Sequence, residues 1–152
     1  MQLETYTRDQ FKHWIDVDVR WGELDSYGHV NNVVYFSYFE ASRARYMLDL
    51  GVADFLTGKR CLQMIVNCSM NFRREVRFPS QLDIGTRISE VRTSSYLMHC
   101  GIFFKDSEIL SADGTGTIVC VSPETKRPMP IPEDFLEAMQ CLEQRTFSRS
   151  EQ

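Results

Sequence analysis

What this sequence lacks narrows its function first. It has no run of about eighteen apolar residues, so no helix in it is expected to cross a membrane. Its first residues hold no apolar core of roughly 7–15 residues, so no secretory leader is expected. There is no basic tail, and the net charge is −4, which argues against a nucleic-acid partner. The cysteines Cys61, Cys68, Cys100, Cys120 and Cys141 are odd in number, and no two stand in a CxxC spacing. All but Cys61 fall within apolar runs, so they read as buried thiols of a reducing compartment, the cytoplasm. His13, His29 and His99 are not at ligand spacing, and with the scattered cysteines they form no metal pattern. A glycine-rich phosphate loop is absent too. Metal and resident cofactor are therefore both expected to be none. There is no internal repeat and no low-complexity segment.

What is present suits one globular domain over residues 1–152. The apolar share of 43% and charged share of 25% are ordinary for such a chain. A chain this long can bury roughly 70% of its unfolded surface and needs no staples. The organising stretch is Trp21-Gly22-Glu23-Leu24-Asp25-Ser26-Tyr27-Gly28-His29-Val30-Asn31-Asn32, followed by a run free of Gly and Pro from Val33 to Leu50. The first part is a turn-rich polar loop. The second predicts a helix about 27 Å long, ended by Gly51 at its C′ position. Its first two turns are apolar apart from Ser37, which predicts burial on most sides. A carboxylate and an imidazole thus sit just ahead of free backbone N–H groups and a positive dipole end.

Around that helix the pattern is that of strands. Met1 to Lys12 is polar and expected to be loosely held, and His13 to Arg20 alternates as a first strand. Val52 to Lys59 reads as a connection with a short helical turn. Four hairpin-connected strands are expected at Leu62–Phe72, Leu82–Arg92, Tyr96–Lys105 and Glu108–Val121, with Arg73, Arg74, Glu75 and Arg77 extending the first of them. Gly114 and Gly116 mark a bulge or a close backbone approach. After an irregular Ser122–Pro132 stretch, Pro132 opens a closing helix with Phe135, Met139 and Leu142 on one face. This order predicts an α+β fold: a five-stranded antiparallel sheet curled around one long helix, with a short C-terminal helix.

The block Asp25-Ser26-Tyr27-Gly28-His29-Val30-Asn31-Asn32, with Tyr35 and Tyr38-Phe39-Glu40 after it, resembles the signature of the hotdog-fold acyl-CoA thioesterases. The 4-hydroxybenzoyl-CoA thioesterase-like family is the group it resembles most. The likeness extends to the strand order, Phe78-Pro79 and Ile131-Pro132-Glu133, and so covers His13 to about Met139. Glu23 departs from it, since many relatives carry aspartate there. The resemblance implies that Asp25 does the chemistry and that a backbone N–H near Asn32 binds the thioester oxygen. His29 and Asn31 follow as second candidates, from a similar stretch in plant acyl-carrier-protein thioesterases. It also implies an acyl-CoA substrate and a homodimer or homotetramer. Each site would lie between subunits, with residues 69–77 of a partner chain completing it.

Thioester hydrolysis needs a polarised carbonyl, a delivered nucleophile and a dry slot. A helix end at Asn32 meets the first need. Asp25 meets the second, as general base on water or as the nucleophile itself. Asp25 equally suits a turn or cap, Asn31 or Asn32 an N-cap, and His29 a brace for the loop. Glu40 is a rival carboxylate two turns into the helix. Arg73, Arg74 and Arg77, or Arg87 and Arg92, could hold the phosphates of coenzyme A, or simply form a solvated strand end. Tyr35, Phe36, Tyr38 and Phe39 suit the core more than an acyl pocket. Two alternatives stand beside the thioesterase: a non-catalytic acyl-CoA-binding protein, and a hotdog dehydratase, whose usual His-Phe-Pro-Gly stretch is missing here.

Overall fold

The computed structural model describes residues 5–51, 54 and 57–149. The strands are β1 (His13–Asp18), β2 (Leu62–Phe72), β3 (Gln81–Val91), β4 (Ser95–Phe104) and β5 (Leu110–Val121). The helices are α1 (Asn32–Asp49) and α2 (Glu133–Glu143). The strands form one antiparallel sheet in the order β1-β3-β4-β5-β2. This is the expected α+β hotdog arrangement. The hairpin expectation is corrected at one place. β3, β4 and β5 form a meander, but β2 pairs with β5 rather than β3. The chain from 73 to 80 therefore crosses the sheet instead of turning back on it, and the strand stops at Phe72.

Side chains alternate across the strands, so the sheet has two working faces. One face carries Ile84, Ile88, Met98, Cys100, Ile102, Ile118 and Cys120 against Tyr35, Tyr38, Phe39, Tyr46 and Met47 of α1. Phe135, Leu136 and Met139 of α2 close the same core. The helix is buried on one face only. Val33 is 67% and Phe36 38% exposed, because one sheet can cover only one side of a rod. Gly51, at φ 73, ends α1 with its N–H donating to Leu48 O at 3.0 Å.

The opposite face corrects the reading of the N-terminus. Tyr6 and Phe11 are buried there with Phe103 and Leu110, and Arg8 pairs with Asp83 at 2.9 Å. Gly85 and Gly101 form the notch for Phe11: a Cβ on either would stand within 2.8 Å of its ring atoms. Residues 5–12 are thus a packed strap, and Met1 to Glu4 lie outside the described residues. So do 52, 53, 55 and 56, on which the expected helical turn falls.

Gly114 marks the close backbone approach expected of it, since a Cβ there would sit 2.5 Å from the Ser69 carbonyl oxygen. At Gly116 the near neighbour is the ring of Phe39. Cys61, Cys100 and Cys120 are buried, but Cys68 and Cys141 are exposed, against expectation. Cys68 lies on the uncovered edge strand, and Cys141 on the outer side of α2.

Candidate active site

The loop before α1 is held by its own polar atoms. Asp25 Oδ1 accepts from the Tyr27 amide at 2.9 Å and the His29 amide at 3.2 Å. The Asp25 amide donates to His29 O at 2.7 Å, and the Gly28 amide to Asp25 O at 3.1 Å. The turn role is therefore real, but it uses one carboxylate oxygen; Oδ2 accepts no hydrogen bond among the described residues. Gly28, at φ 77, takes the left-handed conformation that lets the loop double back.

Asn31 is the N-cap. Its Oδ1 accepts from Val33 N–H at 3.1 Å, and its carbonyl from Val34 N–H at 2.9 Å. That leaves the Asn32 amide as the first-turn donor without a partner among the described residues. The N-cap is fixed in turn by Glu23, whose carbonyl accepts from the Asn31 amide at 2.9 Å. Glu23 Oε2 accepts from Tyr38 Oη at 2.6 Å and from the Arg20 amide at 2.8 Å. Burial, and then the Glu23 carboxylate, push the Tyr38 phenol well above its ordinary value. Glu23, where the sequence departs from many relatives, is thus a strut between loop and helix.

The chain after β2 forms the other wall. The Val30 amide donates to Val76 O at 2.8 Å, and the Val76 main chain lies beside the Tyr35 phenol. Burial raises the Tyr35 phenol, and the Val76 contact works the other way. Between these walls lies a cleft of about 280 Å³ lined by Asp25, His29, Val30, Asn32, Tyr35, Phe72, Arg73, Arg74 and Glu75. The Tyr35 and Phe72 rings meet edge to face at 5.2 Å between centroids. Larger clefts exist, one of about 320 Å³ beside Glu40 and Gln63 and one of about 610 Å³ beside Phe78 and Phe104. Neither joins a carboxylate to a helix N-terminus.

Asp25, His29, Asn32, Arg73 and Arg74 thus share one cleft, while Asn31 stands behind it as the cap. Glu40 does not join them: it is exposed, pairs with Arg43 at 2.6 Å and lines the cleft farther along α1. The three arginines differ. Arg73 Nε pairs with the buried Asp113. Arg77 Nη2 contacts His29 Nε2 at 2.8 Å and Glu75 Oε1 at 3.0 Å. Arg74 is exposed and has no ion pair among the described residues. Of the segment the resemblance assigned to a partner chain, Phe72 to Glu75 line the cleft from within the same chain. Sequence reasoning passed over Glu75 as a site residue. It lies far along the chain from His29, and only the crossover brings the two together.

Residues 19–139 match the model of the thioesterase-like superfamily. The chain belongs to that superfamily. It is a thioester hydrolase by family. It is 23% identical over 126 residues to the long-chain acyl-CoA thioesterase FadM of Escherichia coli K12, covering 83% of this chain and 96% of FadM. Its fold matches the PA5185 protein of Pseudomonas aeruginosa PAO1 at a TM-score of 0.82 and 28% identity, covering 95% of this chain and 98% of that one. It matches a thioesterase of Thermus thermophilus, crystallised with coenzyme A and zinc, at a TM-score of 0.78 and 30% identity, covering 90% of this chain and 98% of that one.

Proposed function

We propose that this superfamily member is an acyl-CoA thioesterase that works at the Asp25–Asn32 cleft, in the manner of the 4-hydroxybenzoyl-CoA-like group. The observation that carries the reading is that one cleft is lined by both Asp25, whose Oδ2 accepts nothing among the described residues, and Asn32, whose amide has no partner among them. The activity named for FadM, and the coenzyme A held by the Thermus relative, support acyl-CoA as the substrate class.

In this mechanism the thioester oxygen takes the Asn32 N–H. One such donor is worth about 2.7–4 kcal/mol once negative charge develops on the oxygen. Asp25 Oδ2 removes a proton from water as the water oxygen bonds to the carbonyl carbon. The carbon–sulfur bond then breaks, and coenzyme A leaves as a thiolate beside the free acid. Attack by Oδ2 itself would pass through a mixed anhydride that water opens, with the same products. Tyr35 and Phe72 give the acyl group apolar walls. Arg74, which has no ion pair among the described residues, is the first choice for one coenzyme A phosphate, and Arg77, on the exposed Glu75, is open to another, while Arg73 is held by the buried Asp113.

A second copy of the chain completes the reading. β2 is an edge strand on which Met64, Ile65 and Val66 are 51%, 38% and 62% exposed, and such an edge calls for a cover. We assign that role to a homodimer, alone or doubled into a tetramer, and place the enzyme in the cytoplasm.

The test is free-thiol release from a panel of acyl-CoAs by the wild type and Asp25→Asn. Asparagine keeps Oδ1 for the Tyr27 and His29 amides while removing the base. The expected loss is about 10²–10⁴-fold in kcat. Retention of kcat within about tenfold ends the assignment of Asp25. Tight coenzyme A binding with no thiol release from any thioester would favour the non-catalytic binder.

A further inference from the structure

His29 Nε2 has two neighbours that cannot both be satisfied. It lies 2.8 Å from Arg77 Nη2, which can only donate, and 2.8 Å from Glu75 Oε2, a carboxylate oxygen that accepts. A ring nitrogen either accepts from the guanidinium, as a bare nitrogen, or donates to the carboxylate, as N–H. Arg77 also reaches Glu75 Oε1 through Nε at 3.1 Å and Nη2 at 3.0 Å, so the three side chains form one closed set. Gly28 lies beside it: a Cβ there would stand in ordinary contact with Arg77 Nη1, at 3.6 Å. The other charged or titratable groups at the cleft are Asp25, Arg73, Arg74 and Tyr35.

Resting on the acyl-CoA reading above, we infer that Glu75 is a positioning residue for His29, and that Arg77 is a displaceable competitor which a phosphate of coenzyme A draws away. With Arg77 on the nitrogen, the His29 proton sits at Nδ1. When a phosphate takes the guanidinium, the ring proton passes from Nδ1 to Nε2 by exchange through water, and Nε2 donates to Glu75. The main chain passes this to the chemistry, because the His29 amide and carbonyl both bond to Asp25. Phosphate occupancy thereby steadies the loop that presents Oδ2. A thioester without phosphates lacks the signal.

Two measurements test this. The first is the ring ¹⁵N spectrum of His29 at about pH 7.5, with and without coenzyme A, assigned by loss of the signal in His29→Gln. Coenzyme A is expected to move Nε2 from the bare-nitrogen to the N–H position. Arg77→Ala should start in the N–H position, and Glu75→Gln should fail to reach it. The second is hydrolysis of one acyl group carried on coenzyme A and on N-acetylcysteamine. An exposed pair of this kind is worth at most about 1 kcal/mol, so Glu75→Gln should lower kcat on the acyl-CoA about two- to fivefold. On the phosphate-free thioester the same substitution should lower kcat by a clearly smaller factor.

The inference is overturned if coenzyme A perturbs other resonances but leaves His29 in place, or if Glu75→Gln slows both substrates alike. In either case thiol release and its dependence on Asp25 would stand untouched. If coenzyme A perturbs no resonance, the acyl-CoA reading falls first and takes this one with it. Unchanged melting curves of the variants keep misfolding out of the comparison.

Discussion

Glu143 offers the sharpest test of how the core is held. It lies on the last turn of α2, is 7% exposed, and sends its carboxylate into the space between α1 and β3. Oε1 accepts from Tyr46 Oη at 2.6 Å and from the Ile88 amide at 2.8 Å. Ile88 stands where the β3–β4 register shifts, so its amide is turned away from the ladder and needs another acceptor. Burial, and then this carboxylate, raise the Tyr46 phenol far above its ordinary value, which keeps it a donor. Glu143→Ala strands two buried donors, at about 1–3 kcal/mol each, for a total of roughly 3–5 kcal/mol. For a domain of this size that lowers the melting temperature by roughly 10 °C. Glu143→Gln keeps a carbonyl acceptor in place and should cost about 1.5 kcal/mol or less. Tyr46→Phe removes one bond and should cost about 1 kcal/mol. In the Glu143→Ala background it should cost clearly less, because the partner is already gone. Urea unfolding of the four variants reads this directly. An alanine variant within about 1 kcal/mol of the wild type, or a glutamine variant as weak as the alanine one, would refute the reasoning.

Three further outcomes are expected. Burial, aided by the charge of Arg87, holds the His99 imidazole down at about 4, against an ordinary value of 6.5. Between these values the unfolded chain binds the extra proton, so stability is full above pH 6.5 and declines as pH falls toward 4. Solvent access trims the loss to roughly 1–2 kcal/mol, and His99→Gln should flatten that limb of a melting-temperature profile; parallel profiles would contradict it. Gly114→Ala should push β2 off β5, with a cost of about 1–3 kcal/mol and faster amide exchange along β2; protection equal to the wild type would count against the close approach. Val66→Lys should convert the proposed homodimer to monomer in sedimentation and remove the dependence of its melting temperature on protein concentration. A wild type already monomeric at micromolar concentration would remove the edge-pairing proposal.

The fold was legible wherever one residue type decided the local geometry. Gly51 stopped the helix, Pro132 capped the last one, and alternation marked β1 and β3 within a few residues of their ends. What escaped the sequence depended on partners far along the chain. The strap at residues 5–12 looked polar because its apolar anchors are Tyr6 and Phe11, and the notch for Phe11 comes from Gly85 and Gly101. The place of β2 beside β5 left no local mark either, since a crossover and a hairpin can share the same turn residues. At the site, the Asp25 loop announced itself as a contiguous block. The contacts of Glu23 with Tyr38 and of Glu75 with His29 did not, because each joins residues on different elements.

The geometry also shows how the turn and the proposed chemistry can share one residue at position 25. A carboxylate has two oxygens, and here Oδ1 is committed to the loop while Oδ2 is not. A residue with a single acceptor could hold the loop or act, but not both. Asparagine has two polar ends but cannot supply the base. The same division of labour recurs at the helix start. Asn31 engages the Val33 and Val34 donors, so the amide that remains is that of Asn32. Glu23 fixes where this happens, since its carbonyl holds the Asn31 amide while its carboxylate holds Tyr38, about a turn and a half into α1. Were the cap to slip by one residue, a different N–H would be left free, at a different angle around the helix axis. The orphan amide is therefore a consequence of how fully its neighbours are satisfied, and the cap is as much a part of the proposed oxyanion site as the donor itself.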